Sequence, residues 1–384
     1  MSFLRQRGHA DSGKVGMVEL FFDLVFVFAV TQLSHTLLKQ LDGAGALQVG
    51  LLFMATWWVW IYTVWATNWF DPEKLPVRVA LFVLLVAGLL MSVSIPRAFA
   101  ELGWLFALAI VLQQVGRTLA MLWASRNEDP AMQRNFLRIT IWLSAGGLLW
   151  LAGGLAAPEQ RLAWWLAALA TDLAGPFMFY HVPGLGHSSV SDWNVDGNHM
   201  AERCALFIII ALGESLLVTG ATFAELPFTA ATLGSFLLAV LGSVVMWWLY
   251  FDHGAEQGHH RIVHSDAPGR HARNSYTYLH VPIVAGIIVS AVGDELVQSH
   301  PHDSSPATLA AIIGGPLLFL AGTALFKWLA HTRALPPLSH LLGIVLLLAL
   351  LVLAPALDLS ALLATALTVL ILAFVAVWES CVLR

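Results

Sequence analysis

Twelve stretches of about twenty predominantly apolar residues follow one another along the chain, each long enough to cross the ~30 Å hydrocarbon core of a bilayer as a helix. They fall near 17–38, 46–66, 76–96, 98–123, 135–156, 161–181, 201–223, 228–251, 275–298, 306–330, 337–356 and 359–379. Turn dipeptides such as Asp71-Pro72, Asp129-Pro130, Leu226-Pro227 and Ser305-Pro306 lie in or beside the gaps. The stretches are apolar on all sides, whereas the strands of a transmembrane barrel alternate apolar and polar residues, so a barrel is excluded. Charged residues are 11% of the 384 and hydrophobic ones 58%, which excludes a soluble domain. The expected fold is all-α, a polytopic membrane protein of about twelve transmembrane helices surrounded by lipid.

Orientation follows from where the nineteen Lys and Arg sit. With the N-terminus inside, fifteen of them lie in cytoplasmic segments or adjoining helix ends, Lys39, Arg97 and Arg161 lie on the other side, and Arg117 lies within the fourth helix. The positive-inside bias therefore puts both termini in the cytoplasm and the protein in the bacterial inner membrane. Residues 1–16 contain no apolar core or small-residue cleavage site, so the first helix is expected to stay.

Short stretches recur in order between the halves. Phe28-Ala29-Val30-Thr31-Gln32 resembles Ile210-Ala211-Leu212-Gly213-Glu214, Trp57 to Trp60 resembles Trp247 to Tyr250, and Val86 to Leu90 resembles Val284 to Ile288, at spacings of 182, 190 and 198. The expected organisation is a tail over 1–16, a six-helix repeat over 17–181, a connecting loop over 182–200, a second repeat over 201–379 and a tail over 380–384. An even number of helices per unit makes the repeats parallel, a symmetry that channels and transporters use.

Ionisable groups inside spans are costly and are the first functional suspects. In the first helix Glu19, Asp23 and Ser34 share a stripe while Gln32 lies opposite, and Asp23 is roughly 9 Å inside by helical rise. In the seventh, Glu202 precedes a face carrying Arg203, Phe207 and Glu214, with Glu214 about 18 Å deeper. The ninth places His280 and Asp294 on one face, and Asp23 and His280 at similar depth could pair. The spacing of 198 carries Arg97 onto Glu295, a possible ion pair near Asp294 at the outer ends. Six histidines crowd residues 253–280, and His260 and His264 have the spacing of a helical metal pair, although a solvated loop explains them as well. Cys204 and Cys381 are too few for a disulfide framework or a cysteine metal site. No nucleotide loop, nucleophile elbow or His-Glu-x-x-His motif is present, and no basic surface suits nucleic acid. No cofactor is specified.

Glu19-Leu20-Phe21-Phe22-Asp23-Leu24-Val25-Phe26, running on to His35, closely resembles the opening signature of the bacterial low temperature requirement A family. Glu202-Arg203 with Phe207 to Ser215, and Tyr276 to Pro282 leading to Val284-Ala285-Gly286, agree with it, so the likeness covers nearly the whole chain. It implies no settled biochemical activity. More distantly, Phe21-Phe22-Asp23-Leu24-Val25-Phe26 with Thr31 is similar to the Phe-Ser-Asp motif of the lysosomal two-repeat potassium channels. That likeness implies that the first and seventh helices face a central axis. Phe22 stands where those channels have Ser, and Arg203, Cys204 and Ala205 stand where a second copy of the motif would be.

Three functions stay open. One is an ion channel or proton-coupled transporter for a small cation or proton, with its path between the first and seventh helices and with Glu19, Asp23, Gln32, Glu202, Arg203, Glu214 and His280 as candidates. Another is a membrane-embedded enzyme or a redox or metal-handling protein built on the His-rich segment. The last is a non-transporting stress or scaffold protein whose polar residues only hold helices together.

Overall fold

The computed structural model describes residues 2–5, 14–189, 195–252, 268–330 and 335–382. His260 and His264 lie outside these residues. Twelve long helices account for the described chain, with no strand beyond the isolated bridges Leu4–Phe70 and Val182–Gly186. They are α1 (Met17–Lys39), α2 (Gly43–Trp69), α3 (Leu75–Ser94), α4 (Gly103–Ala124), α5 (Pro130–Leu155), α6 (Pro158–Phe177), α7 (Gly197–Glu225), α8 (Ala230–Phe251), α9 (Ala272–Ser299), α10 (Pro306–Ala330), α11 (Leu338–Ala356) and α12 (Ala361–Val382). Eleven are long and apolar enough to cross a membrane. The other is α6, which carries Glu159, Arg161 and Asp172 within twenty residues.

Local chemistry explains the starts. Pro130, Pro158 and Pro306 open α5, α6 and α10, where a missing N–H leaves no bond unmade. Asp129 caps α5 by accepting from Ala131 N at 2.9 Å, and Thr229 and Thr232 form a reciprocal capping box on α8. The seventh helix begins four residues before its expected start at 201. Asp196 accepts from the Asn198 and His199 amides at 2.9 and 3.3 Å, so it caps a turn that apolar counting assigns to the loop.

The chain forms two compact units. One holds Met1–Thr36, Ala44–Arg203 and Ser265–Ala272, and the other holds Leu37–Gly43, Cys204–His264 and Arg273–Arg384. Aromatic packing fills the first, where Phe106, Trp150 and Trp165 are buried and the two indoles lie 5.7 Å apart. Arg161 is buried there too. Its guanidinium donates to the carbonyls of Ala98, Ala100, Gly153 and Ala156 at 2.6–3.1 Å, satisfying the ends of two helical segments.

In the second unit α9 and α10 approach closely along glycines. A Cβ at Gly286 would lie 2.4 Å from Phe319 N, and one at Gly315 would lie 2.4 Å from Ser290 N. Small residues at such contacts let helices gain dispersion energy where lipid offers no hydrophobic drive between them. Lys327 of α10 and Glu379 of α12 pair at 2.6 Å, both buried.

Candidate functional site

Glu19 and Asp23 are one helical turn apart on α1, so their carboxylates stack along one face. Both are completely buried in the first unit, as are Arg203 and His199 from the first two turns of α7. Arg203 bridges the two acids. One terminal nitrogen donates to Glu19 Oε1 at 2.8 Å and to Thr67 Oγ1 at 3.1 Å, and the other donates to Asp23 Oδ1 at 2.5 Å. Trp60 Nε1 donates to the same Asp23 oxygen at 2.7 Å. Arg5, from the segment before α1, reaches Glu19 Oε2 at 3.0 Å, and the Gly16 amide donates to that oxygen at 2.8 Å.

The partners of His199 assign its tautomer. Its Nε2 faces Glu19 Oε1 at 2.7 Å, and a carboxylate requires a donor there. Its Nδ1 faces Asn68 Nδ2 at 3.2 Å. The Asn68 amide cannot be flipped, because its Oδ1 accepts from Asp196 N at 2.7 Å while Nδ2 also donates to Asp196 O at 2.9 Å. The neutral ring with the proton on Nε2 satisfies Glu19 and Asn68, while Arg5 Nη2 lies at the longer distance of 3.4 Å from Nε2. Two carboxylates then face two guanidiniums, and the network is balanced in charge. It is not saturated, since Asp23 Oδ2 and Arg203 Nε have no hydrogen-bond partner among the described residues.

The candidates Glu19, Asp23 and Arg203 therefore come together. Glu202, next to Arg203, is exposed and accepts from Val15 N at 3.2 Å. Gln32 is half-buried on α1, and Glu214 is half-buried in the middle of α7. His280 is fully buried in the second unit, but its bonds go elsewhere than to Asp23. It donates from Nδ1 to Ser275 O at 2.9 Å, and its Nε2 accepts from the Tyr250 hydroxyl at 2.7 Å. The carbonyl of Ser275 is open to it because residues 272–278 form a π-helical stretch. Arg97 bonds to Glu101 at 3.1 Å, one turn on, and Asp294 and Glu295 are half-buried near the Ser299 end of α9.

Reading by charge alone missed His199, Trp60, Thr67 and Asn68. Three of these are neutral residues of α2, and none stands out in an apolar sequence. Arg117, expected within the fourth helix, is buried on α4 just after a π-helical stretch over residues 112–116. It donates to Val59 O and Thr63 Oγ1 at 3.1 and 3.0 Å and also to Gln114, pinning α4 to α2.

Together these features define a multi-pass helical membrane protein with a charged network sealed inside its spans. The chain belongs to the bacterial low temperature requirement A protein family, whose sequence profile matches residues 14–377. It is 42% identical over 381 residues to an uncharacterized protein, RA0937, of Rhizobium meliloti (strain 1021), covering 99% of this chain and 92% of that one. No solved structure matches it.

Proposed function

We propose that the protein is a channel-like or proton-coupled transport protein for a small cation or proton, lying in the inner membrane with both termini cytoplasmic. The Glu19–Asp23–Arg203 network is its latch, and α1 and α7 bear the path. The observation that carries this reading is that Asp23 Oδ2 and Arg203 Nε lack a hydrogen-bond partner among the described residues, in an ionic network that is otherwise buried and bonded. A network kept only for packing is disfavoured when partly satisfied, and intramembrane charges mark ion and proton pathways. The likeness of the α1 motif to potassium channels and the short stretches that recur in order between the halves of the sequence add support.

The test is flux of K⁺, Na⁺ and H⁺ into liposomes holding purified protein, over several pH values and voltages. The expected result is a measurable flux of one ion that Asp23→Asn changes at least tenfold. Silence of the native protein under every condition, with Asp23→Asn and Glu214→Gln also silent, overturns it. The exact charge balance of the network favours one other reading, a structural clamp. That reading predicts that the same substitutions lower the melting temperature and that no flux exists to be changed.

A further inference from the structure

In the second unit α8, α9, α10 and α12 enclose a cavity of about 30 Å³, room for one small ion or one water. Ser243 of α8 and Thr368 of α12 line it, each 2% exposed, and neither hydroxyl has a hydrogen-bond partner among the described residues. That departs from the habit of helical hydroxyls. Ser235, Thr323 and Thr365 in the same unit return theirs to a carbonyl three or four residues back.

Three more residues that carry oxygen donors line the same space. Ser290 of α9 lines it, and its hydroxyl donates to the soft sulfur of Met246 at 3.9 Å. Asp294, one turn further along α9, is a lining residue too, and its side chain also reaches Ser215 of α7. On α10 Pro316 has no N–H to offer the carbonyl of Ile312 four residues earlier, and both residues line the cavity. Freed carbonyls of broken helices are a recurrent source of cation ligands in transporters.

We propose that this cavity binds one partly dehydrated Na⁺, using the Asp294 carboxylate, the hydroxyls of Ser243, Ser290 and Thr368, and the Ile312 carbonyl. Hard oxygen donors select a hard cation. A single carboxylate cancels a single charge, whereas a divalent ion would leave net charge within the bilayer, where it is costly. The volume suits a small ion stripped of most of its water. The role of the site rests on the transport reading above, while the binding itself can be measured without any flux.

The experiment is binding of ²²Na⁺ to detergent-purified full-length protein, paired with thermal unfolding in NaCl, KCl and choline chloride at equal ionic strength. The expected results are saturable ²²Na⁺ binding and a higher melting temperature in NaCl than in the other two salts. Asp294→Asn, Ser243→Ala and Thr368→Val each weaken Na⁺ binding at least tenfold. Should Asp294→Asn fail to fold, the near-isosteric Thr368→Val and the small Ser243→Ala carry the test. Equal melting in the three salts without saturable binding means that the cavity takes only water, and the proposal falls. It falls as well if K⁺ competes as well as Na⁺, or if the hydroxyl variants bind Na⁺ like the native protein. Na⁺ binding without flux of any ion overturns the transport reading and leaves the site standing. Flux without Na⁺ binding does the reverse.

Discussion

Arg203 is the residue on which the network turns, because its planar fork reaches two carboxylates that a point charge cannot bridge. Arg203→Gln leaves Glu19 and Asp23 buried with their main cation gone, and losses of this kind run to about 3–5 kcal/mol. Unfolding in detergent is expected to show a loss of that size. Arg203→Lys is expected to recover less than half of it, and full recovery would mean that the bidentate geometry is immaterial. Asp23 was legible as an acid one turn below Glu19 in a span, and Arg203 as a cation on another helix. That they meet was not legible, because pairing depends on how each helix is rotated about its axis. His199 was hidden more simply, in a turn whose start is set by the Asp196 cap and not by hydropathy.

At the scale of elements, two contacts make predictions. Gly286 packs its backbone against Phe319 with no room for a side chain, so Gly286→Val forces α9 and α10 apart. The expected cost is about 1–3 kcal/mol or more, read as lower thermal stability in detergent, and an unchanged melting temperature would show that the helices can slide. The loop before α10 is held differently. Thr308 donates to Asp303 Oδ2 at 2.5 Å and Ser305 donates to it at 2.8 Å, and these bonds hold the Asp303 carboxyl below its ordinary value. A carboxyl lowered in this way contributes stability above the unfolded aspartate value of about 3.9. That contribution fades as pH falls through the lowered folded value. Native protein and Asp303→Asn should therefore differ in stability by the same amount from pH 7 to pH 5, with the gap closing below pH 4. A gap already closing at pH 6 would contradict this assignment. Helix number and approximate ends were legible from hydropathy, but the π-helical stretches that aim Arg117 and open the Ser275 carbonyl to His280 were not. A one-residue change in helical pitch leaves no trace in an apolar count.

The whole molecule can be oriented through its native thiols. Cys381 is exposed near the end of α12, and Cys204 is buried. With both termini cytoplasmic, a membrane-impermeant maleimide should label Cys381 in inside-out vesicles and not in intact cells, with Cys204 silent in both. Labelling from the outside would reverse the topology. What the sequence determined by itself is that the chain is helical and multi-pass and which few charges must lie inside, since the transfer of each stretch into lipid is a sum over neighbouring residues. Tertiary structure decided the partners. Glu19 and Asp23 meet Arg203 about 180 residues away, and Ser243, Ser290 and Thr368 come to one cavity from separate helices. Such meetings depend on the depth and rotation of packed helices, which close contacts between side chains select and local composition does not record.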